Sequence, residues 1–450
     1  MDVDLVRKYN VPGPRYTSYP TVPFWSRNPT PGQWRSNVRS AFDRSNRTEG
    51  ISLYIHLPYC ESLCTYCGCN TRITVNHAVE KPYIDSVLAE WKLYRALFTE
   101  VPRIRELHLG GGTPTFFSPA NLKRLVDGLL DGSTVMRDAE MSFEGHPNNT
   151  TAEHLRVLYD LGFRRVSYGI QDFDPKVQEI IHRLQPFENV ERAFREAREI
   201  GFTSINADLV FGLPFQTPET MRRTIELTNE LRPDRIAFYS YAHVPWIKPG
   251  QRRFTEADLP VDAEKRALYE LGKQLFEDAG YQEIGMDHFA LPHDGLYTAL
   301  LRGRLHRNFM GYSAVGTELM IGLGVSAISD SWTCFAQNRK TVEDYQTSVA
   351  AGELPIFRGH VLSYEDLRVR REILNVMCRF EADLAHIGWD ADDVEAHLFD
   401  LIHDGLVEQN GTHIRVTEQG RPFVRNVCMA FDLQLRQQQD EGKPRFSMTV

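Results

Sequence analysis

The sequence has little that favours a membrane or a nucleic acid as a partner. No apolar run approaches the roughly 20 residues of a membrane-spanning helix, and the first thirty residues have no apolar core typical of a secretion signal. Lysine and arginine number 51 against 60 aspartates and glutamates, giving a formal charge of −9. No basic arm or stripe is present. We therefore expect neither a nucleic-acid nor a membrane partner.

Cysteine is scarce and unevenly distributed. The 450 residues contain seven cysteines, and four of them, Cys60, Cys64, Cys67 and Cys69, lie within ten residues. Clustered thiols without a secretion signal fit the cytosol, where disulfides are rare, so we expect a cytoplasmic protein. The contents of 42% hydrophobic and 25% charged residues are those of an ordinary globular chain, long enough for one large and one smaller domain.

The cysteines follow a strand-like stretch that reads YIHLPYCESLCTYCGCN from Tyr54 to Asn70. Closely spaced thiolates suit an iron–sulfur cluster or zinc. Zinc ribbons usually add a second C-x2-C pair, and none follows here. Three thiolates in the order C-x3-C-x2-C can bind three irons of a [4Fe–4S] cluster and leave the fourth open for S-adenosylmethionine. The loop resembles that of the radical SAM enzymes, and the alternative is a structural zinc loop.

Cys69 is additional to this spacing, two residues after Cys67. One interpretation is a small buried thiol. The other is a redox or positioning role beside the cluster. We favour a role near the site without ligation.

Strand-like and helix-like stretches alternate from residue 51 onward and predict the fold class. The predicted strands are Ile51–Leu57, Glu106–Leu109, Glu140–Glu144, Arg165–Gln171, Thr203–Phe211 and Arg235–Tyr241. The predicted helices between them are Tyr83–Phe98, Asn121–Leu130, Ala152–Leu161, Val190–Ile200 and Pro218–Leu231. Such units form a parallel α/β sheet, and a closed eight-stranded barrel would need two more. We therefore predict an α/β fold: a six-stranded open (β/α)6 partial TIM-type barrel.

Three segments are predicted. Residues 1–45 form an N-terminal arm, residues 46–350 the catalytic barrel and residues 360–450 a small, mostly helical C-terminal domain. Four prolines and five aromatic residues between residues 8 and 25 disfavour regular structure in the arm. The arm is either a scaffold packed by its aromatic side chains or a lid over the site. If it is a lid, the Arg15 guanidinium could hold a carboxylate of a bound ligand bidentately.

Polar and glycine residues end several predicted strands. A glycine run, Gly110–Gly112, follows the second strand, and Glu144, Gln171 and Asp208 lie at or near the ends of later ones. Parallel strands place their carboxyl ends at one edge of the sheet, where ligands bind. We expect these residues to converge on one pocket.

Several motifs together resemble one family within the radical SAM enzymes. They are KYNVPGPRYTSYPT, the cysteine loop, HLGGGTPT, YGIQDFDPKVQ, NADLVFGLPFQTPE, GMDHFA, LHRNFMGY and GLGVSAISD. This set is similar to the oxygen-independent coproporphyrinogen III oxidases. The resemblance implies a [4Fe–4S] cluster, one or two bound S-adenosylmethionine molecules, coproporphyrinogen III as substrate, an electron donor such as flavodoxin or ferredoxin, and a monomer. The implied reaction turns two propionates into vinyl groups without oxygen.

The resemblance also implies residue roles. Cys60, Cys64 and Cys67 would ligate the cluster, and Cys69 would be required without being a ligand. One S-adenosylmethionine would contact Tyr54, Gly111, Glu144 and Ile328. A second would contact Tyr66, Gly112, Thr113, Gln171, Arg183, Asp208 and Ala242. The chain departs from the family pattern at Gly145-His146-Pro147, where an apolar residue and an acid would precede the proline, and His146 has no assigned role.

Two other functions are compatible with the cysteine loop. A radical SAM methyltransferase or haem-opening enzyme would act on another tetrapyrrole or an arene. A haem chaperone would keep the fold without the reaction, although such chaperones typically lack the proline-rich arm and the fourth cysteine.

Overall fold

The computed structural model describes residues 3–437 and 446–449. Residues 1–2 of the predicted arm, and residues 438–445 and 450 of the predicted C-terminal domain, lie outside the described residues. The helices are α1 Val3–Tyr9, α2 Pro31–Ser45, α3 Glu80–Arg95, α4 Pro119–Leu130, α5 Ala152–Asp160, α6 Pro175–Ile180, α7 Phe187–Ile200, α8 Pro218–Leu231, α9 Asp262–Asp278, α10 Gly295–Leu301, α11 Val342–Ala350, α12 Tyr364–Arg379, α13 Ala391–His403, α14 Val424–Ala430 and α15 Leu433–Gln437. The strands are β1 Ile51–Leu57, β2 Tyr59–Cys60, β3 Arg72–Ile73, β4 Arg103–Gly111, β5 Thr134–Gly145, β6 Arg165–Gln171, β7 Ser204–Phe211, β8 Arg235–Ser240, β9 Gln282–Gly285, β10 His288–Ala290, β11 His306–Asn308, β12 Gly311–Ser313, β13 Met320–Leu323, β14 Ile328–Asp330, β15 Cys334–Asn338, β16 Ile356–Val361, β17 Glu381–Asp383, β18 Val407–Asn410 and β19 His413–Val416.

A large, mostly parallel sheet dominates the structure. The six predicted strands lie side by side as β1-β4-β5-β6-β7-β8, and each neighbouring pair is parallel. Their sequences are rich in β-branched and large apolar residues, as expected for strands covered on both faces. The predicted α/β class with a parallel sheet is confirmed.

The sheet extends further than the sequence patterns indicated. β13 adds a seventh parallel strand beside β1, and β14, β15 and β16 continue that edge in antiparallel order. At the other edge β10 pairs antiparallel with β8, and β9 follows it. These added strands have three to six residues each, which is too short for a clear alternation of apolar and polar residues.

The main core lies between the sheet and its helices. The five predicted helices occur as α3, α4, α5, α7 and α8, with ends shifted by up to three residues. Polar caps fix several of these starts, since the Ser118 hydroxyl accepts the Asn121 N–H and the Thr217 hydroxyl accepts the Thr220 N–H. These helices place the strand ends, and with them the predicted site residues, along one edge.

The predicted arm is two different structures. Its last part is helix α2, whose Trp34 and Phe42 are fully buried in the main core. Its earlier part packs against the C-terminal domain, where Arg425 donates to the Pro14 carbonyl (2.8 Å) and the Tyr16 hydroxyl donates to Asp432 (3.0 Å). Helix α2 therefore belongs with the sheet, and the arm proper is shorter than residues 1–45.

The C-terminal domain is mostly helical and shares a second core with other parts of the chain. Helices α12, α13 and α14 pack with a three-stranded antiparallel sheet of order β17-β19-β18. Ile284, Leu296 and Tyr312 from the preceding segment and Tyr16 from the arm enter the same core. The second core thus crosses the predicted boundary between residues 350 and 360. Within the described ranges, no helix combines the length and apolarity needed to cross a membrane.

Replacing Trp34 with alanine tests whether α2 is part of the main core. Trp34→Ala should lower the free energy of unfolding by about 3–5 kcal/mol, because it leaves a cavity in close-packed surroundings. Trp246→Ala is the matched control, since Trp246 is 60% exposed, and its effect should stay within about 0.5 kcal/mol. Urea unfolding followed by circular dichroism measures both. Equal losses for the two variants would contradict this placement of α2.

Candidate active site

The cysteine loop is held at its base by backbone hydrogen bonds. The short strands β2 and β3 pair, and the Arg72 and Thr74 N–H groups donate to the carbonyls of Pro58 (2.8 Å) and Cys60 (2.9 Å). On the other side, the Gly112 and Thr113 N–H groups donate to Leu57 (2.8 Å) and Tyr59 (3.0 Å). The loop therefore starts and ends on the extension of β1.

The glycine run packs directly against this base. A Cβ at Gly112 would lie 2.6 Å from the Pro58 carbonyl oxygen and 3.0 Å from Cys60 Sγ. Gly111 has φ of +119°, in the region that favours glycine, and a Cβ there would lie 2.9 Å from the His56 ring. The glycines are needed for the close approach of β4 to the cysteine loop.

Each of the three predicted cluster ligands has a hydrogen-bonding group beside its sulfur, and the three groups come from different parts of the chain. The Thr113 hydroxyl lies 3.3 Å from Cys60 Sγ, an Arg183 N–H donates to Cys64 Sγ (3.6 Å), and the Cys69 backbone N–H donates to Cys67 Sγ (3.4 Å). Burial raises the pKa of Cys60 to about 11, whereas hydrogen bonding from Cys69 lowers the pKa of Cys67 to about 6. Cys69 thus contacts a predicted ligand directly.

One cavity of about 1250 Å³ brings most of the predicted site residues together. The predicted residues that line it are Cys60, Cys64, Tyr66, Cys67, Cys69, Gly111, Gly112, Thr113, Glu144, Gln171, Arg183, Asp208 and Ala242. The cavity runs from the cysteine loop across the carboxyl ends of β4 to β8. This is the edge at which parallel α/β sheets place ligand sites.

Tyr54 lies behind the cavity wall rather than in it. Its hydroxyl lies 3.1 Å from His56 Nδ1, and its ring stacks on His108 with centroids 5.9 Å apart. His108 Nε2 in turn lies 3.4 Å from a Glu144 oxygen. Within the part of the chain that the structure describes, Tyr54 therefore reaches the cavity through His108 and Glu144.

Ile328 and Arg15 are also outside the cavity lining as far as the described residues show. Ile328 begins β14, which is separated from β1 by β13. The Arg15 guanidinium forms an ion pair with Asp287, which is itself buried. A direct grip of Arg15 on a substrate carboxylate, as predicted, would require that pair to open, so we place Arg15 as a residue that anchors the arm.

Two carboxylates of the cavity lining, Glu144 and Asp208, have different environments. Glu144 accepts the Gly111 N–H (3.1 Å), and although burial opposes its ionisation, His108 and this N–H lower its pKa. Asp208 accepts the Ser167 hydroxyl (2.8 Å) and the Asn206 amide (2.7 Å), and burial raises its pKa to about 6. Both present oxygens that suit ribose hydroxyls or an ammonium group.

Arg183 and His146 also line the cavity. Arg183 donates to the Gly169 carbonyl (2.6 Å), which holds its guanidinium beside Cys64. His146 lines the same cavity, and its Nδ1 accepts the Asn148 N–H (3.2 Å), so the neutral ring carries its proton on Nε2. Burial and the charge of Arg183 lower the pKa of His146 well below its usual value. His146 therefore offers a neutral donor.

Gln251 is a site residue that the sequence reasoning missed. It is buried, and its amide N–H group donates to the carbonyls of Tyr66 (3.1 Å) and Ala242 (3.2 Å), while its oxygen accepts the Val244 N–H (2.6 Å). It joins the cysteine loop to the segment after β8. A glutamine in an irregular stretch carries no sequence signal for such a contact.

The sequence reasoning also missed His56 and His108. His56 lies two residues after Tyr54 on β1, and His108 lies two residues before Gly110 on β4. Residues two apart on a strand share a face, so this spacing could have indicated both histidines.

Comparison with known proteins identifies the family. Residues 54–228 match the Radical SAM superfamily. The oxygen-independent coproporphyrinogen III oxidase of Escherichia coli is 40% identical over 445 residues, covering 97% of this chain and 96% of the relative. The chain belongs to the family of oxygen-independent coproporphyrinogen III oxidases. The family's enzyme from Helicobacter pylori (strain 26695) is 37% identical, covering all of this chain and 99% of the relative.

A solved structure of the family agrees with the fold. The coproporphyrinogen III oxidase of Escherichia coli, described as a radical SAM enzyme, superimposes with a TM-score of 0.89 at 37% identity, covering 96% of this chain and 98% of that one. The predicted family and cofactors, a [4Fe–4S] cluster and S-adenosylmethionine, are confirmed as those of a radical SAM coproporphyrinogen III oxidase.

The cavity fits these cofactors by the chemistry of its residues. Three cysteine thiols on one loop, each with a neighbouring donor, match the ligands and the sulfur hydrogen bonds of an iron–sulfur cluster. Among the described residues, no group of three or more His, Cys, Asp or Glu converges on a single metal ion. A cluster does not need such convergence, because each thiolate binds a different iron.

The pH dependence of unfolding tests whether Asp208 binds a ligand or stabilises the fold. The folded state holds the Asp208 proton more tightly than the unfolded chain, whose pKa is near 3.8, so ionisation of Asp208 costs stability as the pH rises from about 4 to about 6. Without S-adenosylmethionine, Asp208→Asn should therefore unfold at higher urea than the parent at pH 8, with the difference shrinking toward pH 4. Its S-adenosylmethionine binding should fall.

Asp294→Asn is the control for this experiment. Burial opposes ionisation of Asp294, but Arg235 lowers its pKa, so this carboxylate is stabilising when charged. Its replacement should lower stability at pH 8. A parallel loss of stability in Asp208→Asn would show that Asp208 is structural.

Proposed function

We propose that this chain converts two propionate side chains of coproporphyrinogen III to vinyl groups without oxygen, giving protoporphyrinogen IX in haem biosynthesis. The observation that carries the proposal is the single cavity that joins the three-cysteine loop to polar strand ends and to Tyr239 and Lys248. The full-length similarity to oxygen-independent coproporphyrinogen III oxidases supports the same reaction.

The reaction needs an agent stronger than any side chain of the cavity. The β carbon of a propionate is unactivated, and no side-chain base can deprotonate it near neutral pH. The cluster and S-adenosylmethionine, when bound, supply a 5′-deoxyadenosyl radical that takes a hydrogen atom from this carbon. Each propionate radical then loses CO2 and passes one electron to an electron acceptor, which leaves the vinyl group. Two propionates react, so two S-adenosylmethionine molecules are consumed per product.

We assign the residues of the cavity to the cluster and to two S-adenosylmethionine molecules. Cys60, Cys64 and Cys67 hold the cluster, and the Cys69 N–H and Arg183 orient its sulfurs. Gly111 and Glu144 face one S-adenosylmethionine. The second S-adenosylmethionine would contact the other predicted residues of the cavity lining, which are Tyr66, Gly112, Thr113, Gln171, Arg183, Asp208 and Ala242.

The cavity is large enough for this arrangement. Its volume of about 1250 Å³ exceeds the roughly 300–1,000 Å³ of a site for one small molecule. Its cationic groups, Arg183 and Lys248, suit the carboxylates of S-adenosylmethionine and of a tetrapyrrole. We take the six parallel strands as the partial (β/α)6 barrel of the radical SAM fold, and we expect a cytosolic monomer supplied by flavodoxin or ferredoxin.

An assay with the defined substrate tests the function. The anaerobically reconstituted protein, given coproporphyrinogen III, S-adenosylmethionine and dithionite, should release CO2 and form the divinyl product, with 5′-deoxyadenosine in step. Chromatography with mass detection identifies the tetrapyrrole. A methylated or ring-opened product, or none with the cluster intact, would refute the proposal.

The ligand assignment is tested by iron content. Cys60→Ala, Cys64→Ala and Cys67→Ala should each lose most of the iron and the visible absorbance, since three irons need three thiolates. Cys69→Ser should retain most of the cluster while product formation falls, because it changes a neighbour of Cys67 rather than a ligand. Iron loss in Cys69→Ser equal to that in Cys64→Ala would show that the ligand set is misassigned.

A further inference from the structure

Each cleavage of S-adenosylmethionine in the proposed function begins with one electron delivered to the cluster by a carrier outside the chain. Electron transfer needs close approach, so the donor has to reach the surface next to the cysteine loop. The side of the loop at Cys69 and Asn70 is flanked by an unusual group of side chains.

Lys248 and Lys340 flank this side of the loop, and together with Arg358 on β16 they are called the basic patch. Lys248 Nζ donates to the Cys69 carbonyl (3.1 Å), and the Asn70 side chain donates to the Lys340 carbonyl (3.1 Å). Lys340 Nζ lies 5.7 Å from the ring centroid of Phe357, the chain neighbour of Arg358, so the patch continues from the loop onto β16.

The basic patch has no internal counter-charge. Across residues 3–437 and 446–449, no carboxylate forms an ion pair with Lys248, Lys340 or Arg358. The nearest acid along the chain from Lys340 is Glu343, and it pairs with Arg72 (3.0 Å). In a chain of formal charge −9, three like charges together are unfavourable without a partner.

Exposed apolar side chains adjoin each cation. Trp246 and Ile247, just before Lys248, are 60% and 64% exposed. Phe357, next to Arg358 and 5.7 Å from Lys340 Nζ, is 49% exposed. Aromatic and apolar groups among cations are typical of protein interaction surfaces.

The position of the patch favours a protein over the substrate. Lys340 and Arg358 are outside the cavity lining among the residues that the structure describes, and Arg358 lies on β16, the edge strand of the sheet. A small molecule in the cavity would meet Lys248 alone. A protein laid over the loop would meet all three cations and the three apolar side chains.

We propose that the basic patch and its apolar neighbours form the docking surface for an acidic protein that carries one electron, such as reduced flavodoxin. This inference rests on the proposed function. In the transfer, the carrier's reduced flavin or iron–sulfur centre loses one electron and the cluster held by the cysteine loop gains one. Complementary charge speeds such encounters and makes them sensitive to salt.

Binding of oxidised flavodoxin to the reconstituted protein tests the surface without relying on turnover. The double variant Lys340→Glu/Arg358→Glu should weaken binding, measured by calorimetry at about 50 mM salt, by about tenfold or more. The difference should shrink at about 300 mM salt, where exposed charges are screened. Lys248 is left unchanged because it lines the cavity.

Lys92→Glu is the matched control. Lys92 is exposed in the last turn of α3, and this helix starts just after the cysteine loop and runs about 24 Å toward the opposite edge of the sheet. It changes charge without touching the patch, so binding should equal that of the parent. Cluster absorbance and thermal unfolding should be unchanged in both variants.

Two reductants then separate the possible roles. With reduced flavodoxin the double variant should form 5′-deoxyadenosine about tenfold more slowly, and with dithionite at the parent rate. Equal losses with both reductants, together with a raised KM for coproporphyrinogen III, would assign the patch to the substrate and overturn the inference. Unchanged binding in the double variant, or no saturable binding of flavodoxin or an acidic ferredoxin to the parent, would overturn it too. Vinyl formation by the parent with dithionite tests the proposed function separately.

Discussion

The attachment of the cysteine loop to the end of β1 is the constraint on which the site depends. Four backbone hydrogen bonds hold residues 57–60 in an extended path, two from Gly112 and Thr113 and two from Arg72 and Thr74. The loop between them is irregular and could not position three thiols unaided. Because Gly112 approaches Cys60 so closely, the same contacts that fix the loop also exclude any side chain at the position just after β4.

The strand ends turn one sheet edge into a set of different chemical environments. Glu144 is ionised more readily because His108 and a backbone N–H face it, whereas burial dominates at Asp208 and favours its neutral form. Environment thus makes two similar side chains release their protons in different pH ranges. Burial and the neighbouring charge of Arg183 lower the pKa of His146, so the His146 ring is neutral and Arg183 is the charged member of this pair.

The fold and most of the cavity lining follow from local sequence patterns. Long buried strands and amphipathic helices are visible in the sequence because their periodicity extends over many residues. The cysteine spacing and the strand-end residues such as Asp208 are local signals too. Contacts between distant segments are not: the ion pair of Arg15 with Asp287, the burial of Trp34 in the main core and the reach of Gln251 to Tyr66 all depend on tertiary packing. Short edge strands such as β13 lack enough residues to show a period.

The amide of Gln251 has a thermodynamic consequence. It donates both to the carbonyl of Tyr66, inside the cysteine loop, and to that of Ala242, in the segment after β8. Ordering either segment therefore lowers the entropy that remains to be lost when the other is ordered. Because linkage is reciprocal, a ligand that orders the loop and a ligand that orders the segment after β8 would each raise the affinity for the other by the same factor.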